Sequence, residues 1–176
     1  MATAIELPIS EEQYLTTSYH PDCDFVDGFV LERPAGQFDH ANLQRILVGL
    51  FFVNAKAWGV LGLPEQRLRV RAGTDRAASK YRVPDLLALP LTYDRSRQIV
   101  QMAPLLCIEI VSPDDRMPRI LERCWDYFEL GVPETWIFDP ETKRAFAAAD
   151  HVLTEASAVL KCGKIEIDPV ELFAML

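Results

Sequence analysis

Tyr81-Arg82-Val83-Pro84-Asp85-Leu86-Leu87-Ala88-Leu89 and, further along, Pro104-Leu105-Leu106-Cys107-Ile108-Glu109-Ile110-Val111-Ser112-Pro113 are strand-like apolar runs, each carrying one acidic residue. Residues 83–89 and 105–111 read as central strands, apolar on both faces and so covered on both sides. A carboxylate inside such a strand is costly to bury without a partner. Two of them in successive strands, Asp85 and Glu109, call for a shared compensating group. A divalent cation is the simplest, because hard cations such as Mg²⁺ take oxygen ligands. The pattern points to a metal-dependent enzyme, and among these to one that cuts phosphodiester bonds.

The flanking segments supply the rest of an α/β architecture. Ser10 with Gln13 forms a capping-box pattern and predicts a short helix. Asp27-Gly28 between β-prone residues predicts a hairpin over residues 24–32. From residue 39 to about 58, Leu43, Ile46, Leu47, Leu50 and Phe51 recur at helical spacing, with Gly59 and Gly62 placed to end the helix. Leu68 and Val70 alternate with arginines, as in a strand with one wet face. Residues 72–79 read as a polar loop. Ile120, Leu121, Cys124, Tyr127 and Phe128 predict a helix over 117–130 closed by Gly131. Strands are predicted over 134–139, 144–149 and 164–167. Asp168-Pro169 starts a terminal helix. The expectation is a mixed central β-sheet flanked by helices on both faces, in one domain spanning residues 1–176.

Composition bounds the function classes. Nearly half the 176 residues are apolar and a quarter are charged, which is ordinary globular usage. No apolar run reaches transmembrane length. The first eight residues carry no basic-then-hydrophobic signal, so a cytoplasmic location is expected and no membrane partner. Cys23, Cys107, Cys124 and Cys162 are scattered, and Cys107 and Cys124 read as small core residues in a reducing compartment. The three histidines are equally dispersed, which argues against zinc. A net charge of −8 disfavours a general nucleic-acid binder. Locally, however, Arg67, Arg69, Arg71, Arg76, Lys80 and Arg82 share one segment opposed by Asp75, and Arg116, Arg119 and Arg123 form a second group. These groups could face phosphate; equally, Arg67, Arg69 and Arg71 are the solvated face of an alternating strand.

Tyr-Arg-Val-Pro-Asp, Ile-Glu-Ile-Val-Ser-Pro and Tyr-Phe-Glu-Leu-Gly-Val-Pro-Glu-Thr-Trp-Ile-Phe-Asp-Pro, in this order and spacing, resemble the Uma-type endonucleases of the PD-(D/E)xK nuclease superfamily. The likeness extends upstream to Val26-Asp27-Gly28-Phe29-Val30-Leu31-Glu32 and to His40, and covers roughly residues 10–146. It implies a restriction-endonuclease-like fold. It also implies that Asp85 and Glu109 bind Mg²⁺ or Mn²⁺ with the Ile110 carbonyl, and that Glu32 helps hold the ion. His40 matches a position near the cleft, and Ser112 the serine after the acidic strand. The superfamily's lysine two residues after the acidic residue is Val111 here. The lysine that Uma-type proteins draw from the following helix corresponds to Arg123, and the acidic residue a turn earlier to Arg119. An arginine clamps phosphate and stabilises transition-state charge but does not act as a general base. The resemblance implies DNA as substrate and a homodimer.

Bland readings stand beside each of these. Asp85 after Pro84 could be a turn aspartate. Glu109 could pair with an arginine such as Arg82 or Arg123. His40 could be a helix-start residue, Glu32 a solvated hairpin residue, and Ser112 a turn or cap residue. Three functions follow: a metal-dependent DNA endonuclease using Asp85, Glu109, Arg123 and His40; a degenerate nuclease fold that binds nucleic acid or a partner without cutting; and a protein-interaction domain.

Overall fold

Ser10 accepts the Gln13 backbone N–H while the Gln13 side chain accepts that of Ser10, and this closed capping box starts α1 (Glu11–Thr16). A hairpin follows. Asp27 and Gly28 both take positive φ, 52° and 90°, which is the two-residue turn that matches strand twist. It joins β1 (Asp24–Val26) to β2 (Phe29–Leu31). The computed structural model describes residues 8–20, 22–33, 37–74 and 77–176. Asp75 and Arg76 of the basic segment, and the first seven residues read for a signal, lie outside these.

The amphipathic run forms α2 (Phe38–Trp58), which Gly59 ends in the left-handed conformation at φ 74°. Gly62, expected as part of that stop, instead lies inside β3 (Val60–Pro64). A Cβ there would sit 2.5 Å from the Phe51 Cβ, so its lack of a side chain lets α2 pack onto the strand. Gly62 and Pro64 are what hid β3 in the sequence, since both weaken a strand reading. The remaining elements are β4 (Leu68–Arg71), β5 (Lys80–Arg82), β6 (Leu86–Pro90), β7 (Leu106–Ile110), α3 (Met117–Leu130), β8 (Thr135–Asp139), β9 (Arg144–Ala149), β10 (Val152–Glu155), β11 (Leu160–Cys162), β12 (Ile165–Ile167) and α4 (Pro169–Ala174). Strands β10 and β11 were not read from sequence. The β9–β10 turn uses Asp150 and His151 at positive φ rather than a glycine-bearing pair, so it carries no hairpin signal.

A six-stranded sheet runs in the order β10-β9-β8-β7-β6-β3, and a four-stranded one in the order β2-β1-β5-β4. In the larger sheet β7 and β8 are parallel, joined across α3, and the other pairs are antiparallel. The sheet is therefore mixed, as expected. Alternate residues face opposite ways. Leu86, Ala88, Ile108 and Ile110 pack with Leu43, Leu47 and Phe51 of α2. Leu87, Leu89 and Cys107 pack with Tyr127 of α3 on the other face. Helices thus cover both faces.

The strand expected over 83–89 is broken. The chain leaves the smaller sheet at Arg82 and joins the larger at Leu86. Pro84 has no N–H to give a ladder. Val83 gives its N–H to Asp24 Oδ1 at 2.9 Å, and its carbonyl accepts from Arg33 Nη1. Side chains therefore satisfy the backbone at the crossing, and Asp85 sits at the crossing itself. Of the arginines expected on a wet face, Arg71 is exposed and pairs with Asp27 and Arg69 reaches Gln101, but Arg67, just before β4, is largely covered, forking onto Asp22 and lying over the Tyr14 ring. Among the described residues no helix is long and apolar enough to cross a membrane.

Candidate active centre

The β6–β7 ladder pairs Leu86 with Ile108, and one step further the same register sets Asp85 opposite Glu109. Both point to the α3 face, by parity with Leu87 and Cys107. Like charges directly opposite are destabilising, so the two carboxylates need cations and donors. The fold brings them from three elements.

From α3, Arg123 Nε donates to Glu109 Oε2 at 2.9 Å, and the Tyr127 hydroxyl donates to Glu109 Oε1 at 2.6 Å. Both residues lie on one helix face, four apart. From the end of β2, Arg33 Nη2 donates to Asp85 Oδ1 at 2.7 Å and reaches Glu109 Oε2 at 3.4 Å. From the start of α2, His40 Nε2 lies 3.5 Å from Asp85 Oδ1, and its Nδ1 is 3.0 Å from Ser112 Oγ. The second Asp85 oxygen accepts the Ile110 backbone N–H at 2.6 Å. Asp115 Oδ2 takes the Ser112 N–H at 3.0 Å. Its Oδ1 is buried without a hydrogen bond among the described residues, 3.8 Å from Arg123 Nη2.

These surroundings set the charges. Burial pushes the Asp85 carboxyl up, but Arg33 and His40 pull it further down, to about 2. Burial also pushes Glu109 up and there prevails over Arg123 and Arg33. His40 is lowered by burial and raised more by its bond to Asp85, for a net upward shift.

Two cavities meet at Arg33. One, about 190 Å³, holds Asp85, His40, Ser112, Asp115, Gln44 and Glu65; the other, about 920 Å³, is walled by Arg33, Arg82, Arg119, Arg123, Glu32 and Glu122. Of the residues singled out in the sequence, Asp85, Glu109, Arg123, His40 and Ser112 come together here, and Ile110 contributes its N–H. Glu32 is exposed on the wall of the larger cleft. Arg123 is the arginine that pairs with Glu109; Arg82 instead binds Asp24, Glu122 and Asp126.

Arg33, Tyr127 and Asp115 were not picked out from the sequence as site residues. Arg33 lies two residues past β2, where strand alternation no longer applies, and no local sequence signal marked it. The signal for Tyr127 was its spacing from Arg123 on the helix.

The donor set suits one hard cation: two carboxylates stand close enough for a single cationic atom, Arg33 Nη2, to reach both. Each oxygen has a second lone pair, so Asp85 and Glu109 could hold such an ion in the place of Arg33; among the described residues no third His, Cys, Asp or Glu completes a metal-binding cluster with them.

The mixed sheet, the helices on both faces and the paired carboxylates at the sheet crossing define a restriction-endonuclease-like protein. Residues 12–151 match the family model Uma2, described as "Putative restriction endonuclease". The chain belongs to the Uma2 family. It is also similar to a crystal structure titled as a putative nuclease belonging to DUF820 from Anabaena variabilis, with a TM-score of 0.80 and 18% identity. That match covers 96% of this chain and 99% of the other. No curated protein gives a significant match.

Proposed function

We propose that this chain is an endonuclease that hydrolyses DNA phosphodiester bonds at the Asp85–Glu109 centre with Mg²⁺ or Mn²⁺. The observation that supports this best is the convergence of two carboxylates from neighbouring strands beside a cleft walled by arginines. Asp85 and Glu109 would hold the ion. The chemistry a divalent ion supplies at such a pair is polarisation of a phosphoryl oxygen and activation of water. Arg119, exposed on the cleft wall, orients the DNA backbone. Arg123 stays with Glu109 and offsets negative charge developing nearby. His40 would move a proton at Nε2, a reading supported by the contact of its other nitrogen with Ser112 Oγ, which fixes the ring orientation. One centre cuts one strand, so a double-strand break calls for a second copy of the chain.

A second reading is a nuclease fold that grips DNA without cutting. One observation favours it: Arg33 already spans both carboxylates. Nicking of supercoiled plasmid decides between the two, with Mn²⁺ and then Mg²⁺, for wild type beside Asp85→Ala. Cleavage by wild type, abolished by chelator and by the substitution, is the expected result. Intact plasmid with wild type under both metals leaves only the non-cutting reading.

A further inference from the structure

The Asp85–Glu109 pair has room for one cation between its oxygens, and the chain supplies that cation itself. Arg33 Nη2 touches both carboxylates, and Nη1 is anchored on the Val83 carbonyl at the sheet crossing. Arg33 and Arg123 together balance Asp85 and Glu109. Arg33 Nη2 stands between Asp85 Oδ1 and Glu109 Oε2, so a divalent ion bound to the same two oxygens would lie against the guanidinium, where like charges in a water-poor site repel strongly. Guanidinium and divalent ion therefore exclude each other.

We propose that Arg33 is a tethered competitor for the divalent-cation position: the centre has an arginine-in state, which the structure shows, and a cation-in state that opens only when Arg33 withdraws. Three features make withdrawal feasible. Arg33 lies two residues past β2, a three-residue strand at the edge of its sheet, so it is held by no strand ladder of its own. It lines both cavities, and the larger one offers its side chain space to swing into. When Arg33 leaves, Arg123 remains on Glu109, and Asp85 keeps the Ile110 N–H and His40. A DNA phosphate entering that cleft presents an alternative anion for the guanidinium, and would couple substrate arrival to opening of the cation position.

The proposal rests on the geometry of the centre and is tested without DNA. Mn²⁺ binding to the full chain is measured by electron paramagnetic resonance, and thermal unfolding is followed with and without Mn²⁺. Wild type, Arg33→Ala, Arg33→Met and Arg33→Ala/Asp85→Asn are compared. Apparent affinity scales with the fraction of molecules in the open state, so an arginine-in population of about nine-tenths makes Arg33→Ala bind Mn²⁺ about tenfold tighter than wild type. Arg33→Met is expected to do the same should the alanine variant fold poorly. Mn²⁺ should raise the melting temperature of the Arg33 variants more than that of wild type, and Asp85→Asn should remove both effects. Equal Mn²⁺ affinity in wild type and the Arg33 variants overturns the proposal, as does absence of binding in all of them. A chain that shows the tighter binding yet never nicks plasmid loses the endonuclease reading alone. One that nicks plasmid with unchanged Mn²⁺ affinity loses the Arg33 proposal alone.

Discussion

Asp85 and Glu109 face each other across one register step, yet their surroundings move them in opposite directions. Asp85 is buried, which raises it, but Arg33, His40 and the Ile110 N–H bring it down to about 2. Glu109 shares its arginines and lies in the dry layer beneath α3, where burial wins and raises it. The consequence for stability follows from linkage. The folded Asp85 holds its proton less tightly than the unfolded one, so its contribution is complete above an ordinary aspartate value of about 4 and is lost as pH falls towards about 2. Glu109 titrates in the other sense: its share is complete below its ordinary value and declines as pH rises. The lower window therefore reports Asp85. Urea unfolding from about pH 4 to about pH 2 should show wild type losing more stability than Asp85→Asn. Equal slopes would remove Asp85 from the acid response. Both carboxylates were legible in the sequence because a charge in an apolar strand is conspicuous. Arg33 was not, because an arginine beside a hairpin has an ordinary solvated reading.

At the scale of elements, α2 and α3 approach the large sheet from opposite sides and are set by different devices. On the α3 side, a helix with Arg123 and Tyr127 one turn apart places a cation and a hydroxyl above the same carboxylate. On the α2 side, closeness comes from β3, where Gly62 lies under Phe51. Gly62→Ala should cost about 1–3 kcal/mol, since an added methyl meets the Phe51 Cβ and ring and neither can retreat without moving the helix. Chemical denaturation checks this, and a loss below a few tenths of a kcal/mol would mean that α2 yields easily. The helix limits were readable because apolar periodicity and a left-handed glycine mark them locally. Strand β3 was masked by the same glycine that its packing requires.

Across the whole molecule, the two sheets meet at Val83 to Asp85, and Arg82 stitches the meeting point to α3. Its guanidinium binds buried Asp24 from β1 at 2.8 Å, and Asp126 and Glu122 from α3 at 2.7 Å each. Lys80 adds a second link to Asp126 at 2.9 Å. Asp24 also caps the Val83 N–H, so this network holds the backbone that presents Asp85. Arg82→Met should destabilise by about 3–5 kcal/mol, because it strands Asp24 and Asp126 as underpaired charges. It should also reduce Mn²⁺ binding in the Arg33→Ala background, although Arg82 does not touch the carboxylate pair. An unchanged melting temperature would show that the sheets are held together by apolar contacts alone. What the sequence by itself determined was local: which runs are strands or helices, where caps and turns fall, and that two carboxylates stand in successive apolar strands. Those features follow from periodicity, propensity and the cost of burying charge, all of which act over a few residues. The tertiary structure alone decided that the run at 83–89 changes sheets at Pro84, that Asp85 meets Glu109 in register, and that Arg33 lies between them. These depend on contacts between residues far apart in the chain, and pairwise attraction between one of many carboxylates and one of many arginines leaves no mark in local sequence.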